Sequence, residues 1–301
     1  MQAFVRPRLL PWHWEKHVCF ACRHTATMGK TILLDEKESA LRRLLLDVAQ
    51  FAGSSTGHDA PQLRFTGGWV RDKLLGFASE DVDIGINNMT GSQFGASLKQ
   101  FVERDDFRDK YPEGTLGSLA KIDANPEKSK HLETVTTKIF GLEIDLVNLR
   151  RESYTEQSRN PTMEFGTPEE DALRRDATVN ALFYNLQTES VEDLTKRGLG
   201  DLELKVIKTP LPPLQTFKDD PLRVLRAIRF ASRLKFKLDE GDVASMRNDS
   251  IKTMLKSKIS RERIGIELIK MLKGQLIFAS SPNEFLTSCR ARSTKSAVFA
   301  G

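Results

Sequence analysis

Gly67-Gly68-Trp69-Val70-Arg71-Asp72-Lys73-Leu74-Leu75-Gly76, followed after four residues by Asp81-Val82-Asp83, decides how this chain is read. Val82, Ile84 and Ile86 alternate with Asp81, Asp83 and Gly85, which is the period of a strand and puts both carboxylates on one face. Just upstream, residues 63–65 read as a short strand, and Val70, Leu74 and Leu75 have helical spacing, so Gly67 and Gly68 stand at the mouth of a helix. Glycines there let a phosphate approach the backbone, where free N–H groups and the helix dipole favour an anion. A bare Asp-x-Asp is more often the polar edge of a strand, and Gly-Gly before a helix is more often a turn. Joined to Arg71 and Asp72 in so short a stretch, they read as a triphosphate cradle beside its metal. Asp145, in Glu143-Ile144-Asp145-Leu146, lies on a later strand that could pair alongside. Three carboxylates on adjacent strands repel one another, and two Mg²⁺ ions would neutralise them and activate a hydroxyl for phosphoryl or nucleotidyl transfer.

Working outward, Leu41, Leu44, Leu45, Val48 and Phe51 predict an amphipathic helix over 33–51. Residues 116–122, 131–140 and 142–149 are further strand candidates. Residues 151–170 read as a long polar connection, the kind usually retained for function. A helix is expected over 171–182. Thr209-Pro210-Leu211-Pro212-Pro213 cannot be helix or central strand and marks a domain boundary. Beyond it, Leu222, Leu225, Ile228 and Phe230, then Ile264, Leu268, Met271 and Leu272, make an all-helical second half.

The 301 residues suffice for one large or two modest domains. Hydrophobic residues are 39%, charged residues 29%, and mean hydropathy is −0.39, and no apolar run is long and uncharged enough to span a bilayer. Three cysteines are too few for a disulfide framework and point to a reducing compartment. Residues 31–200 carry 21 basic against 29 acidic side chains, whereas 201–274 carry 17 against 10. An acidic half joined to a basic half suits a metal-dependent enzyme acting on a polyanion, although two solvated faces of opposite sign explain the charges equally well. In residues 1–30, Arg6, Arg8, Lys16 and Arg23 alternate with aromatic and aliphatic residues and a single acid, as in a mitochondrial presequence. Met28 offers a second start that would leave the product in the cytoplasm or nucleus. His13, His17, Cys19, Cys22 and His24 lack the separated ligand pair of a zinc site.

The motif around Gly67 and Asp81 resembles the class II tRNA nucleotidyltransferases (CCA-adding enzymes) and the bacterial-type poly(A) polymerases that share their head, within the polymerase-β-like superfamily. Four further stretches match in order, from about Phe65 to Lys273. Arg174-Arg175-Asp176-Ala177-Thr178-Val179-Asn180 is similar to the family's ribose-recognising motif, and Gly200-Asp201-Leu202 to its head-to-neck connector. Asp219-Asp220-Pro221-Leu222-Arg223-Val224-Leu225-Arg226 is similar to its base-reading helix, and Ser260-Arg261-Glu262-Arg263-Ile264 to the neck motif that follows. The resemblance is strongest to the eukaryotic enzymes, with paired Asp219-Asp220.

The resemblance implies an α+β fold, with a nucleotidyltransferase head of mixed sheet and helices over 31–208 and an all-helical neck over 209–274. Residues 1–30 would be a leader and 275–301 an atypical, disordered tail. It implies addition of CCA to tRNA 3′ ends from CTP and ATP with Mg²⁺, with no membrane and no obligate protein partner. Asp81 and Asp83 would hold the metal and Asp145 would help activate the hydroxyl. Gly67, Gly68, Arg71, Asp72, Arg175, Asp176, Asn180, Asp220, Arg223 and Arg226 would bind nucleotide. Arg174 reads as a solvated neighbour, Thr178 as a capping or packing group, and Glu262 and Arg263 as an ion-pair network steadying the neck. Arg151, Tyr154 and Arg159 would work in a mobile loop. From Gln275 the resemblance stops, and a shortened product lacking body and tail helices is expected. The competing expectations are an A-adding or poly(A)-type relative and a non-catalytic RNA-binding product.

The chemistry of the base-reading stretch stands apart from the name. On one helix face, a carboxylate at 220 accepts from an exocyclic amino group while a guanidinium at 223 donates to ring nitrogen and carbonyl. Cytosine and adenine present that order. Uracil and guanine present a carbonyl beside an N–H and would leave both protein groups unpaired. Standing alone, such a pair is ordinarily a helix-capping salt bridge.

Overall fold

The computed structural model describes residues 31–57, 59–111, 123–124, 134–153 and 162–273. The expected leader, the Cys and His stretch, the 116–122 strand, Tyr154, Arg159 and the 275–301 tail lie outside them. Helix α1 (Glu36–Thr56) begins at Asp35 in a capping box with Glu38 and ends at Gly57 in the left-handed region. It buries Leu41, Leu44, Leu45 and Val48. There follow β1 (Leu63–Thr66), α2 (Gly68–Leu74), β2 (Asp81–Ile86), α3 (Gly91–Val102), α4 (Phe107–Lys110), β3 (Asp123–Ala124), β4 (Val135–Ile139) and β5 (Leu142–Asn148). Next come β6 (Arg150–Ser153), β7 (Thr162–Phe165), α5 (Pro168–Leu173), a 3-10 turn (Thr178–Asn180), β8 (Phe183–Asn185), β9 (Ser190–Glu192), α6 (Gly198–Leu204) and β10 (Val206–Ile207). The helical part holds α7 (Pro213–Asp219), α8 (Leu222–Leu234), β11 (Lys237–Leu238), α9 (Glu240–Met246), α10 (Asp249–Lys258) and α11 (Arg261–Lys273).

The seven-stranded sheet runs β3-β4-β5-β2-β1-β8-β9. Its pairs are antiparallel except β2 with β5, so it is mixed as expected. One continuous set of buried apolar side chains links Leu44 on α1, Phe65 and Ile84 in the sheet, and Phe217 and Phe230 on the neck helices.

Three local expectations are corrected. Residues 151–170 are not a plain connection: β6 and β7 form an antiparallel ribbon from Arg150↔Phe165 to Ser153↔Thr162, and α5 starts at Pro168. The ribbon is invisible to apolar alternation because its pairing is carried by the backbone and Phe165 is exposed. Gly166 is required where it leaves the ribbon, since a Cβ there would lie 2.5 Å from both Arg150 C and Arg151 N. The helix expected over 171–182 ends at Leu173. Ala177 is extended, so the chain can turn Asp176, Thr178 and Asn180 inward to polar partners. Finally, the second half is not wholly helical, because β11 pairs parallel to β10 across the boundary at 209–213.

That boundary carries a buried acid. The Thr209 N–H donates to Asp242 Oδ2 at 3.0 Å. The Thr209 hydroxyl has one proton for two acceptors, Asp242 Oδ1 at 3.2 Å and the Leu211 carbonyl at 2.8 Å. Burial raises the Asp242 carboxyl from 3.8 to about 6, against the lowering pull of the Thr209 donors. The folded state therefore holds this proton more tightly than the unfolded chain. No cost arises below pH 4, and stability falls as pH rises from about 4 through 6. Asp242→Asn is expected to add on the order of 2 kcal/mol at pH 8 and little at pH 4. Urea unfolding at the two pH values checks this, and equal stability of variant and parent at pH 8 would refute it.

Candidate active site

The acidic face comes from strand register. On the parallel pair β2–β5, Asp83 lies opposite Asp145 and Asp81 opposite Glu143. Residues two apart share a face, so four carboxylates stand together where the sequence reading counted three. Glu143 was missed, although its place two residues before Asp145 repeats the Asp81-x-Asp83 spacing. Thr136, across from Asp145 on β4, donates its hydroxyl to Asp145 Oδ1 at 2.5 Å. Loss of solvation against the protein wall raises the Asp83 carboxyl. Arg175 pulls it down, Asp145 and Asp81 push it up again, and the net direction is up. A divalent cation would relieve that crowding. Among the described residues, no three His, Cys, Asp or Glu groups form a ready cage for an ion. The donor set suits Mg²⁺ nonetheless, since that ion is usually bound through one or two carboxylates and completes its shell with water and substrate phosphates.

The glycine turn meets this face. Strand β1 runs beside β2 with Thr66 opposite Asp83, and Gly67 follows with φ 68° and ψ −125°, a conformation for glycine alone. Its N–H donates to the Leu182 carbonyl at 3.2 Å. A Cβ at Gly67 would lie 2.9 Å from an Arg175 guanidinium nitrogen and 3.7 Å from Asp83 Oδ2. Three separate stretches of sequence thus converge within a few ångströms: the Gly-Gly turn, the Asp-x-Asp strand and the 174–180 segment.

Arg175 is aimed by others. Its Nε and one terminal nitrogen donate to Asp171 Oδ2 at 3.0 and 2.8 Å, and the other donates to the Asn180 carbonyl at 3.1 Å. The guanidinium lies over Phe183, 5.0 Å from the ring centre. Burial raises the Asp171 carboxyl, but Arg175 and Arg174 outweigh it and hold the group below the usual range. Arg174 is no solvated neighbour: it pairs with Asp171, donates to the Arg150 carbonyl at 3.1 Å and pairs with Glu152 at 2.9 Å, fastening the ribbon to α5.

Buried Arg71, Asp72, Asp176 and Asn180 form a polar chain that ends on the half-exposed Arg226. Arg71 donates to Asp72 Oδ1 at 2.8 Å and to Asn180 Oδ1. Asn180 donates to Asp176 Oδ1 at 3.0 Å, and Arg226 donates to Asp176 Oδ2 at 2.6 Å. Burial alone would raise the Asp176 carboxyl, yet Arg226 and Asn180 hold it below its ordinary value. Thr178 packs as expected of a buried hydroxyl, donating to Asp201 Oδ2 at 2.6 Å.

The base-reading pair sits differently from expectation. Asp220 is not on the helix with Arg223. It occupies the break between α7 and α8, and its Oδ1 accepts from the Leu222 N–H at 3.0 Å, capping α8. Pro221 imposes the break by restricting the residue before it. Asp220 Oδ2 lies 3.4 Å from Arg263, so that neck pairing runs through Arg263 to α8. Arg223 is buried, donates to the Arg174 carbonyl at 2.7 Å and lies 3.8 Å from Glu152. Arg151 is exposed and pairs with Glu164 and Glu170.

Comparison with known proteins bears on this geometry. The family model described as the poly A polymerase head domain matches residues 63–208. The chain is 55% identical over 255 residues to the mitochondrial CCA tRNA nucleotidyltransferase of Candida glabrata, covering 84% of this chain and 48% of that one. It is 54% identical over 246 residues to the mitochondrial CCA tRNA nucleotidyltransferase of Saccharomyces cerevisiae, covering 81% and 44%. The fold matches a Thermotoga maritima CCA-adding enzyme solved with tRNA at a TM-score of 0.57 and 26% identity, covering 87% of this chain and 52% of that one. The chain spans about half the length of the curated relatives it matches.

Proposed function

We propose, from the premise that this chain belongs through residues 63–208 to the poly A polymerase head-domain family, that it adds C and A to tRNA 3′ ends from CTP and ATP without a template. The observation that carries the reading is the meeting of Gly67, Asp83 and Arg175 beside the Asp83–Asp145 pair. The RNA 3′-oxygen forms a bond to the α-phosphorus, the bond from that phosphorus to the bridging oxygen breaks, and pyrophosphate leaves with the electron pair. Asp145, which accepts from the Thr136 hydroxyl, would take the hydroxyl proton. Asp81 and Asp83 would hold Mg²⁺, which supplies charge neutralisation and a more acidic hydroxyl when bound. Gly67 and Gly68 admit the triphosphate to the backbone, and Arg175 faces the developing charge. Arg71, Asp72, Asp176, Asn180 and Arg226 act as the frame that joins this cradle to α8, whose N-terminus carries Asp220 and Arg223. The boundary proposed for the two parts remains 209–213.

The presequence-like residues 1–30 and the mitochondrial relatives support a mitochondrial product, with a Met28 start giving a cytoplasmic or nuclear one. A reporter fused to residues 1–30 would then enter mitochondria. For the reaction, the purified chain is incubated with tRNA lacking its 3′ end and each labelled nucleotide in turn. Incorporation of C and then A, with none of U or G, is expected. Incorporation of A alone points to the A-adding reading. RNA binding without incorporation of any nucleotide rejects the catalytic one.

A further inference from the structure

Glu267 lies on α11, is 4% exposed and belongs to none of the motifs singled out in the sequence. Its Oε2 accepts from Arg229 Nε at 2.6 Å, and its Oε1 lies 3.9 Å from Arg226. Arg229 in turn lies over Phe230, 4.2 Å from the ring centre, and Arg226 and Arg71 approach the same ring at 5.6 and 5.4 Å. Arg226 therefore sits between two carboxylates, Asp176 from the turn beneath the glycine cradle and Glu267 from the last neck helix. Asp176 already serves Asn180, and through it Arg71.

We infer that Glu267 is a positioning residue for nucleotide selection, a role that rests on the nucleotidyltransferase reading. By taking Arg229, it leaves Arg226 as the arginine that donates to Asp176. The division of two guanidinium groups between two carboxylates sets how far α8, and hence Asp220 and Arg223 at its start, stands from the metal face. Without the Glu267 charge, Arg229 is a largely buried cation with no carboxylate of its own, on the same helix as the Asp176-bound Arg226 and three residues beyond it. A second arginine leaning on Asp176 would draw the middle of α8 toward the head and tilt its N-terminus out of register with the triphosphate.

The test measures equilibrium binding of CTP, ATP and UTP to the full chain with Mg²⁺ present, alongside thermal melting. Glu267→Gln keeps the shape and the acceptor oxygen but removes the charge. CTP and ATP affinity should fall about tenfold, within the range for residues acting through packed contacts, and UTP should change little, so the CTP-to-UTP ratio shrinks. Glu267→Asp should recover most of that ratio. Glu267→Met combined with Arg229→Met removes the second arginine together with the charge, so Asp176 keeps Arg226 and both the melting temperature and the CTP-to-UTP ratio should return toward the parent's. A merely structural pair gives the opposite pattern: a lower melting temperature in Glu267→Gln with the wild-type ratio intact. That pattern, or a ratio in the double variant as low as in Glu267→Gln, overturns the inference. The parent is the control for the underlying reading. If it binds CTP and UTP alike, base selection itself is wrong. If it discriminates and Glu267→Gln discriminates equally, only the positioning role falls.

Discussion

Asp83→Ala is expected to lower incorporation of both C and A by roughly a thousandfold, the rate equivalent of about 4 kcal/mol. Asp81→Ala should do nearly as much. The two carboxylates share one strand face, and the proposed reaction would develop negative charge on the phosphoryl oxygens and the leaving pyrophosphate, so the lost element is charge stabilisation. The fold should survive, because both side chains lie on the face of the strand opposite to Val82, which is the residue packed into the core. Stability should move the other way from activity in Asp83→Asn. The Asp83 carboxyl is raised in the folded state, chiefly by lost solvation and then by Asp145 and Asp81 against the pull of Arg175. Folding thus bears a cost for ionised Asp83 that appears as pH rises through the unfolded value of 3.8 and persists above the raised one. Removing that charge should raise the melting temperature at pH 7 in metal-free buffer, and an excess of Mg²⁺ should stabilise the parent more than the variant. Near wild-type turnover in either alanine variant would show that the carboxylates are misassigned. Asp145→Asn and Glu143→Gln, measured together, separate the two acids of β5: the one nearer the attacking hydroxyl should show the larger fall in kcat.

The parts that were legible in the sequence are those whose physics is local. Alternation of Val82, Ile84 and Ile86 revealed β2, and the same two-residue period revealed β5. Their adjacency was an open expectation, from which the cost of holding the acids together argued for a metal, and the β2–β5 pairing bears it out. The β6–β7 ribbon was not legible, because a backbone-paired ribbon with an exposed Phe165 carries no apolar period. Nor were Asp171, Glu152 and Glu267. For Glu152 and Glu267, whether the carboxylate faces water or a buried guanidinium depends on a partner far along the chain, whereas Asp171 takes Arg174 and Arg175 three and four positions on and only its burial is hidden from the sequence. For Glu267 that partner is Arg229, 38 positions away, and for Glu152 it is Arg174, 22 positions away. Arg174 looked solvated for the same reason. The 174–180 segment shows the opposite error, since its helical composition suggested a continuous helix. Buried Asp176 and Asn180 need partners from α8 and α2, and that requirement outweighs helix propensity.

Loss of base choice is expected when Arg223 or Asp220 is replaced, and the geometry sharpens which loss belongs to which residue. Arg223 is oriented before any nucleotide arrives, with one terminal nitrogen on the Arg174 carbonyl and Glu152 close by. Its guanidinium plane is therefore set by the ribbon through Glu152 and by the turn after α5 through the Arg174 carbonyl. Asp220 is set from the other side, with one oxygen on the Leu222 N–H and the second near Arg263. A donor and an acceptor fixed by separate parts of the molecule act as a rigid edge. A base that presents carbonyl and N–H in the reverse order leaves both unpaired, at about 1–3 kcal/mol each. Arg223→Ala should reduce kcat/KM for CTP and ATP together and shrink the CTP-to-UTP ratio by about ten- to a hundredfold. Asp220→Ala should relax the ratio in the same direction. It also removes the α8 cap and so should destabilise the chain by about 1 kcal/mol, which Arg223→Ala shares only through the lost carbonyl contact. Asp220→Asn separates the two effects, because an amide still caps the helix through its oxygen but can turn its nitrogen toward a uracil carbonyl. It should hold its stability and still admit UTP. If the ratios in all three variants equal the parent's while stability falls, Asp220 and Arg223 serve the α7–α8 junction alone, and the base is read elsewhere.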